Sequence, residues 1–465
     1  MQIRKGQLEK LTIVRLAFGG KGIGIYDGRP VFIAKTMPGD IAEVSFTKIK
    51  DAYIEADLIQ LITPSPDRAE TPCPHVKICG GCQMQWMPYK KQTEFKKQHV
   101  IDAFERIGGF KKPPVDETLV CNEQFYYRNK MEFSFGYDKD MNFQLGMHVP
   151  GRRFDLFDIT GCMLQSKIAM DILNRTRDLV ASYKWAPFKY SCGEGFVKSI
   201  FLREGKRTGQ LMINISTSDD IPTNFDNDFA DYIKEILKIN NKYTDVQIIS
   251  INWSKVISKR GQRRQTVTTC MHGEPSITEK MILPNGAELS FEIFPHAFFQ
   301  VNTLQGEHLY NEVMKLASIN DHDMIFDLFC GTGTMGLFLA KLGKKVLGIE
   351  INEDAVKSAK RNAERNNVST IDFYCGDVAK VLGDVKKKPS LIIVDPPRAG
   401  LTQKMIDHIH SFESKEIIYV SCNPATLARD CKIFAELGYK INSIKPVDMF
   451  PHTFHIENVC YLTID

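Results

Sequence analysis

The chain opens on short apolar runs set apart by glycine, proline and aspartate. LTIVRLAF, GIGIYDG, PVFIAK and AEVSFTKIK each read as a strand, and Gly19, Gly20, Gly22 and Gly24 permit tight bends between them. Strands of this length and spacing predict a small OB-like β-barrel over residues 1–62. Ile62 to His75 is rich in proline and threonine and reads as a linker. From Tyr89 to Ile107 the pattern becomes helical and is closed by Gly108 and Gly109; this helix is placed where it can pack on the C-terminal domain. EFSFGY, QLGMHV, VKSIFLRE, QLMINIST, VQIISINW and TVTTCM are strand-like, with FDNDFADYIKEIL as a helix among them. They predict an antiparallel α+β module within a central domain, residues 63–285. Beyond about residue 286 apolar strands alternate with helices, from MIFDLFC through VLGIEI, IDFYCGD and LIIVDPP to IIYVSCN. That alternation predicts a parallel, doubly wound α/β sheet over residues 286–465. The expected fold class is therefore multidomain: barrel, α+β centre, Rossmann-like C-terminal domain.

Composition narrows the classes. With 465 residues, two or three domains are expected, and a formal charge of +4 permits a nucleic-acid partner without arguing for one. No run of about 18 apolar residues is present, so no membrane partner is expected. The first ten residues lack the apolar core of a secretory leader, and the twelve cysteines point to a reducing, cytoplasmic setting with thiols free for metal or catalysis.

Asp327-Leu-Phe-Cys-Gly331-Thr-Gly333-Thr-Met-Gly336 lies between an apolar run and a helical run. Glycines there let backbone approach a ligand, and the following helix offers its first amides. Glu350 ends the next strand, where a carboxylate can hold two ribose hydroxyls. NAD and S-adenosylmethionine both fit so far. Asp395-Pro396-Pro397-Arg398, at the carboxyl end of the fourth strand, separates them. Two prolines make a stiff segment that can hold a flat base in a fixed pose, and the acidic residue with adjacent prolines resembles the motif of S-adenosylmethionine-dependent methyltransferases acting on planar nucleobases or amides.

Cys422 ends the fifth strand and precedes a helix with Pro424 in its first turn. The helix N-terminus is expected to favour the thiolate. Glu457 sits in a turn with His452 and His455 just before the last strand. The two suit one chemistry. Thiolate addition to carbon 6 of uracil makes carbon 5 nucleophilic. A base must then remove the proton left on carbon 5, and Glu457 is the best carboxylate for that. Cys330 and Cys375 are weaker nucleophile candidates, and Cys431 and Cys460 read as structural.

DLFCGTGTMGL, DPPRAGL, SCNPATLARD and PHTFHIENV, in this order, resemble the RNA uracil-5-methyltransferases that act on tRNA and rRNA. The resemblance implies S-adenosyl-L-methionine as cofactor, RNA as partner, Cys422 as nucleophile and Glu457 as base. It implies cofactor contacts at Gln300, Phe329, Thr334, Glu350 and Asp395. Phe329, Thr332 and Thr334 depart from the tyrosine and asparagines of many members. Residues 1–62 resemble the TRAM domain. Cys73, Cys79 and Cys82, with Gly80 and Gly81 between the last two, resemble the iron–sulfur motif of the rRNA branch. Three close thiols suggest a metal site, and Cys121, Cys162 or Cys192 could supply the fourth by position. The resemblance points to Cys162 and to a [4Fe–4S] cluster rather than structural zinc. It also implies a 23S rRNA target, with tRNA as the alternative. An NAD-dependent iron–sulfur oxidoreductase and a non-catalytic RNA-binding protein are the rival classes. For RNA contact two patches stand out: Trp253 with Lys255, Lys259, Arg260, Arg263 and Arg264, and Tyr126-Tyr127-Arg128-Asn129-Lys130.

Overall fold

The computed structural model describes residues 3–152, 154–258, 264–385 and 387–465. At the N-terminus β1 (Leu8–Thr12), β2 (Arg15–Leu16), β3 (Gly22–Tyr26), β4 (Arg29–Ile33), β5 (Ile41–Ile49) and β6 (Ile54–Thr63) form one sheet in the order β1-β5-β6-β4-β3-β2. Val31, Ile33, Val44, Phe46 and Ile54 alternate inward and make its core. The sequence reading missed β6. Only its first residues alternate between buried and exposed; the rest project polar and apolar groups alike to solvent, so the period-2 signal fades. The turn at Pro38–Asp40 is present, and the buried Asp40 carboxylate accepts from Ser65 N at 2.8 Å and Arg68 Nε at 2.8 Å. That clamp fixes the start of the linker.

Helix α1 (Tyr89–Ala103) runs into a π-helical turn at Phe104–Gly108 and stops at Gly109, where φ is 76°. Its buried face is unusually polar: Gln92, Thr93 and Lys96 lie with Val100 and Ala103. Lys96 Nζ donates to Asp448 Oδ1 at 2.6 Å, both side chains being fully buried, and to Phe450 O at 3.1 Å. The helix is thereby tied to the C-terminal sheet.

The central sheet contains β7 (Lys130–Tyr137), β8 (Phe143–His148), β9 (Leu156–Asp158), β10 (Val197–Glu204), β11 (Gln210–Thr217), β12 (Gln247–Ile257) and β13 (Gln265–Gly273), in the order β13-β12-β11-β10-β7-β8-β9. Helices α2 (Lys167–Ser182) and α3 (Phe225–Leu237) pack their apolar stripes on one face. The sheet is mixed, not wholly antiparallel: β11 and β12 run parallel. The reason is α3, which carries the chain back between them as a crossover. A hairpin of β14 (Ile277–Ile282) and β15 (Glu288–Ile293) follows, and its Met281, Leu289 and Phe291 share a core with the C-terminal sheet.

After α4 (Thr303–Ala317) come β16 (Ile325–Leu328), α5 (Thr334–Lys341), β17 (Val346–Glu350), α6 (Glu353–Arg365), β18 (Ile371–Cys375), α7 (Val378–Asp384), β19 (Leu391–Val394), α8 (Gln403–Ser411), β20 (Glu416–Ser421), α9 (Pro424–Glu436), β21 (Lys440–Val447) and β22 (Glu457–Thr463). The sheet order is β18-β17-β16-β19-β20-β22-β21. The five strands from β16 to β20 are parallel and predominantly apolar, as expected for strands covered by helices. The last two depart from the expected all-parallel sheet: β22 inserts antiparallel between β20 and β21. The chain order reverses between β16 and β19, which opens a crevice at their carboxyl ends.

Candidate active site

That crevice is a cavity of about 760 Å³, and Gln300, Phe329, Thr334, Glu350, Asp395, Cys422 and Glu457 all line it. The loop after β16 has Phe329, Gly331 and Gly333 at positive φ (65°, 55° and 78°), which turns its backbone toward the cavity. A side chain on Gly333 would meet the Phe373 ring at 2.8 Å, so only glycine fits there. Glu350 accepts from Gly331 N at 3.1 Å and Asn352 N at 2.8 Å. Its carboxylate is thus fixed at the cavity wall with acceptor capacity to spare, as a ribose diol requires. Asp327, buried below the loop, accepts from Gly336 N at 2.9 Å. Burial, then the nearby Asp395, pushes its carboxyl up to about 7. Asp395 itself is raised to about 7 by burial. A cavity lined with carboxyls in this state favours a cationic guest.

Cys422 follows β20 directly. Asn423 caps α9 by accepting from Ala425 N at 3.1 Å, and Pro424 has no amide to offer. The first two positions of the helix therefore offer no free amide to a thiolate. Burial, then Glu457, pushes the Cys422 thiol up to about 11, against a downward pull from Arg398. This overturns the expectation of a lowered thiol: desolvation and a neighbouring carboxylate outweigh the helix terminus. Glu457, the first residue of β22, is 8% exposed, and burial followed by Asp395 raises it to about 8. A carboxyl in that range exchanges protons near neutrality. His455 also lines the cavity, but burial and Arg398 push it down to about 4, so its ring is neutral. His452 serves the fold instead: its φ is 67°, its ring stacks on Phe125 at 4.4 Å, and Nδ1 lies 3.2 Å from Gln92 Nε2.

Several residues hold this geometry in ways the sequence did not indicate; Asn129, read there as part of an RNA patch, is one. Asn423 Nδ2 donates to Arg398 O at 3.1 Å, joining the Cys422 loop to the Asp395 loop. Arg429 Nη2 donates to Ala399 O and Leu401 O at 3.0 Å, and Asp430 Oδ2 accepts from Leu401 N at 2.8 Å and Tyr419 Oη at 2.7 Å. Asn129 holds the Gln300 segment from the central domain, donating to Gln300 O at 2.7 Å. The signal for Arg429 and Asp430 was present, as two charges on a helix running from the nucleophile. Nothing in sequence connects Asn129 to Gln300.

A second, small cavity is lined by Cys73, Cys79, Cys82 and Cys162 together. Cys121 and Cys192 lie elsewhere: Cys121 is buried against Asn302, and Cys192 is exposed. Burial, then the neighbouring Cys162, pushes the Cys82 thiol up to about 12, and burial raises Cys162 to about 11. Among the described residues no group of three or more His, Cys, Asp or Glu is drawn together to metal-holding distance.

Both patches proposed for RNA contact are partly structural. Trp253 donates from Nε1 to Thr217 Oγ1 at 2.9 Å and packs on Phe225 with ring centroids 4.5 Å apart, so it is not a free stacking surface. Lys255 rests over its ring, Arg264 is exposed, and Lys259, Arg260 and Arg263 lie outside the described residues. Tyr127 is buried and donates to Pro451 O at 3.1 Å; Arg128 lies over Phe450 and Lys130 over Phe201. Tyr126 alone of the two tyrosines reaches solvent. These residues join the central domain to the walls of the reaction cavity.

Comparison with known proteins gives the chain a family. The family described as tRNA (Uracil-5-)-methyltransferase matches residues 381–464, the stretch that carries Asp395, Cys422 and Glu457. RNA cap guanine-N2 methyltransferase matches residues 322–420, and DNA methylase residues 227–361. An uncharacterized RNA methyltransferase of Clostridium tetani is 34% identical over 99% of this chain and 98% of its own. Another, of Chlorobaculum tepidum, is 34% identical over 99% of this chain and 97% of its own. The crystal structure of Pyrococcus abyssi tRNA (uracil-54, C5)-methyltransferase, in complex with S-adenosyl-L-homocysteine, superposes with a TM-score of 0.74 at 29% identity, covering 98% of this chain and 100% of that one. Kinship over the whole length, with a family match on the segment where the nucleophile and base candidates meet, means that this chain belongs to the S-adenosylmethionine-dependent RNA uracil-5-methyltransferases.

Proposed function

We propose that the protein methylates carbon 5 of a uridine in 23S ribosomal RNA through a covalent adduct on Cys422. The observation that carries this reading is the meeting of Cys422, Glu457 and the ribose acceptor Glu350 on one cavity. Gln300, Phe329, Thr334, Glu350 and Asp395 would hold the methyl donor there. Cys422 gives its proton to solvent, Sγ bonds to carbon 6 of the uracil, and the electron pair of the 5,6 double bond moves to carbon 5. Carbon 5 takes the methyl group from the donor sulfonium, whose sulfur keeps the bonding pair. Glu457 then removes the proton on carbon 5, the 5,6 double bond re-forms, and Cys422 leaves as thiolate. Uracil in folded RNA must be unstacked to enter, so a loop or flipped nucleotide is expected.

Residues 1–62 would serve as a TRAM-like barrel, residues 63–285 as the central RNA-binding domain, and residues 286–465 as the methyltransferase domain. Cys73, Cys79, Cys82 and Cys162 suit a [4Fe–4S] cluster. Four thiols face one cavity with apolar walls, and Gly80 and Gly81 let the chain curl around it. Such a cluster would hold the fold; methyl transfer needs no electron.

The test is Cys422→Ala, assayed for methyl transfer to 23S rRNA and separately for S-adenosylmethionine binding. Transfer should vanish while cofactor binding persists; full turnover would disprove the covalent route. The crystallised relative's tRNA target gives a second reading. Nucleoside mass spectrometry of rRNA and tRNA from cells with and without the gene separates the two.

A further inference from the structure

The central domain carries a second large groove, about 1080 Å³, bounded by the β7–β8 hairpin, the β8–β9 loop and the 187–191 segment. Among the residues that line it and the reaction cavity, none is shared. Its floor is Lys198, a lysine only 6% exposed. The ammonium sits 3.7 Å from the Phe188 ring centroid and 6.0 Å from that of Tyr190. No ion pair or hydrogen bond to Lys198 is found among the described residues. The aromatic faces are its nearest partners, with the Asp219 carboxylate close enough to favour its charge, and such a lysine can still donate to an incoming anion. Arg264, just before β13, is close enough to act on its charge.

The walls fit the same guest. Tyr190 is 66% exposed and forms a T-shaped pair with Phe188 at 5.1 Å, so most of its ring stays open to solvent. The segment is preformed: Phe188 N donates to Val197 O at 2.8 Å and Lys189 N to Glu194 O at 2.7 Å. Lys139, Arg152 and Lys189 add positive charge along the rim. The opposing carboxylates are occupied. Asp138 accepts from Asp140 N and Asn142 N at 2.9 Å, and Asp155 faces Arg152 at 3.3 Å. Stackable rings interleaved with positive charge are how single-stranded nucleic acid is held without sequence preference.

We propose that this groove is a second docking site for RNA, taking a single-stranded segment of the substrate remote from the reacting uridine. Bases stack on Tyr190, and a backbone phosphate meets Lys198. The proposal rests on the reading of the protein as an RNA methyltransferase and adds to it a contact that selects long or structured substrates.

The probe is a fluorescein-labelled 12-nucleotide single-stranded RNA, followed by anisotropy with the full chain. Tyr190→Ala, an exposed change that leaves the core alone, should weaken binding about tenfold, the scale of one lost base–aromatic stack. Lys198→Met should weaken it further and flatten its salt dependence by about one phosphate contact. With rRNA as substrate, Tyr190→Ala should raise KM and spare kcat. Wild-type affinity in both variants would overturn the proposal. So would binding in which polyglutamate, not RNA, responds to the variants, because the groove would then serve an acidic protein. If the wild type transferred no methyl group to any RNA, the enzymatic reading would fail, while the oligonucleotide measurement would still decide the groove.

Discussion

At the scale of single residues, the site is set by one cation among carboxyls. Arg398 pulls down on the Cys422 thiol, on Glu457 and on the His455 ring. A positive charge favours the ionised form of an acid, so its loss must raise the thiol and the carboxyl together. Methyl transfer needs both ionised in turn, and activity should climb with pH through the region around pH 8. Arg398→Gln should move that rising limb of the kcat/KM profile to higher pH, and an unshifted limb would show that the guanidinium field does not reach the thiol. Glu457 also enters the stability balance. Its folded value of about 8 lies above the ordinary carboxyl value of 4.5, so ionising it costs stability as pH rises between the two. Glu457→Gln should therefore melt higher than wild type at pH 9 and about equally at pH 5. On RNA it should trap a covalent adduct, visible as a protein–RNA band, because the carbon 5 proton cannot leave. The positions of Cys422 and Glu457 were legible because both end or begin strands at one sheet edge. The direction of the thiol shift was not, because it depends on how deeply Cys422 sits and how near Glu457 comes.

At the scale of elements, α1 and the loops around it decide whether the cavity keeps its walls. Lys96 reaches across from α1 to Asp448 in the connection that leads to Glu457, with both side chains at 0% exposure. Breaking such a pair leaves a bare charge in the interior at a cost of about 3–5 kcal/mol. Lys96→Met should lose roughly that much against urea, whereas Lys96→Met with Asp448→Leu should recover most of it. If the single change were neutral, the pair would not be what holds α1. Gly400 makes a comparable point in a loop: at φ 74° a side chain there would meet Asp430 Oδ2 at 2.5 Å. Gly400→Ala should spread the Asp395 loop from α9 and raise KM for S-adenosylmethionine. Strand and helix existence was readable from periodicity in most of the chain. Direction was less so. Period-2 alternation is the same in either sense, and only the helix between β11 and β12 marked them as parallel. The polar face of α1 was opaque for the opposite reason: Gln92 and Lys96 look solvent-facing until their partners, far along the chain, are known.

At the scale of the whole molecule, the C-terminal sheet and its loops line the reaction cavity, and the cysteine site lies where the central sheet is anchored. Tyr126 N donates to Met163 O and Arg128 N to Leu164 O, next to Cys162; the Tyr127 hydroxyl between them donates to Pro451 O, beside the turn that carries His455 and Glu457. On the four-thiolate reading, a cluster at Cys73, Cys79, Cys82 and Cys162 pins the first end of this bridge, which meets the methyl-donor side only at Gln300, through Asn129. Protein purified without air should then carry about four iron and four sulfide per chain. Cys82→Ser should lose both and lower the melting temperature. Because the bridge ends on the Glu457 turn and not on the Glu350 wall, Cys82→Ser should also impair release of the methylated RNA adduct more than it impairs S-adenosylmethionine binding. Zinc without sulfide would replace the cluster by a structural metal and leave the bridge standing. Equal loss of donor binding and adduct release would mean instead that the cysteines hold up the whole fold and not one side of the cavity.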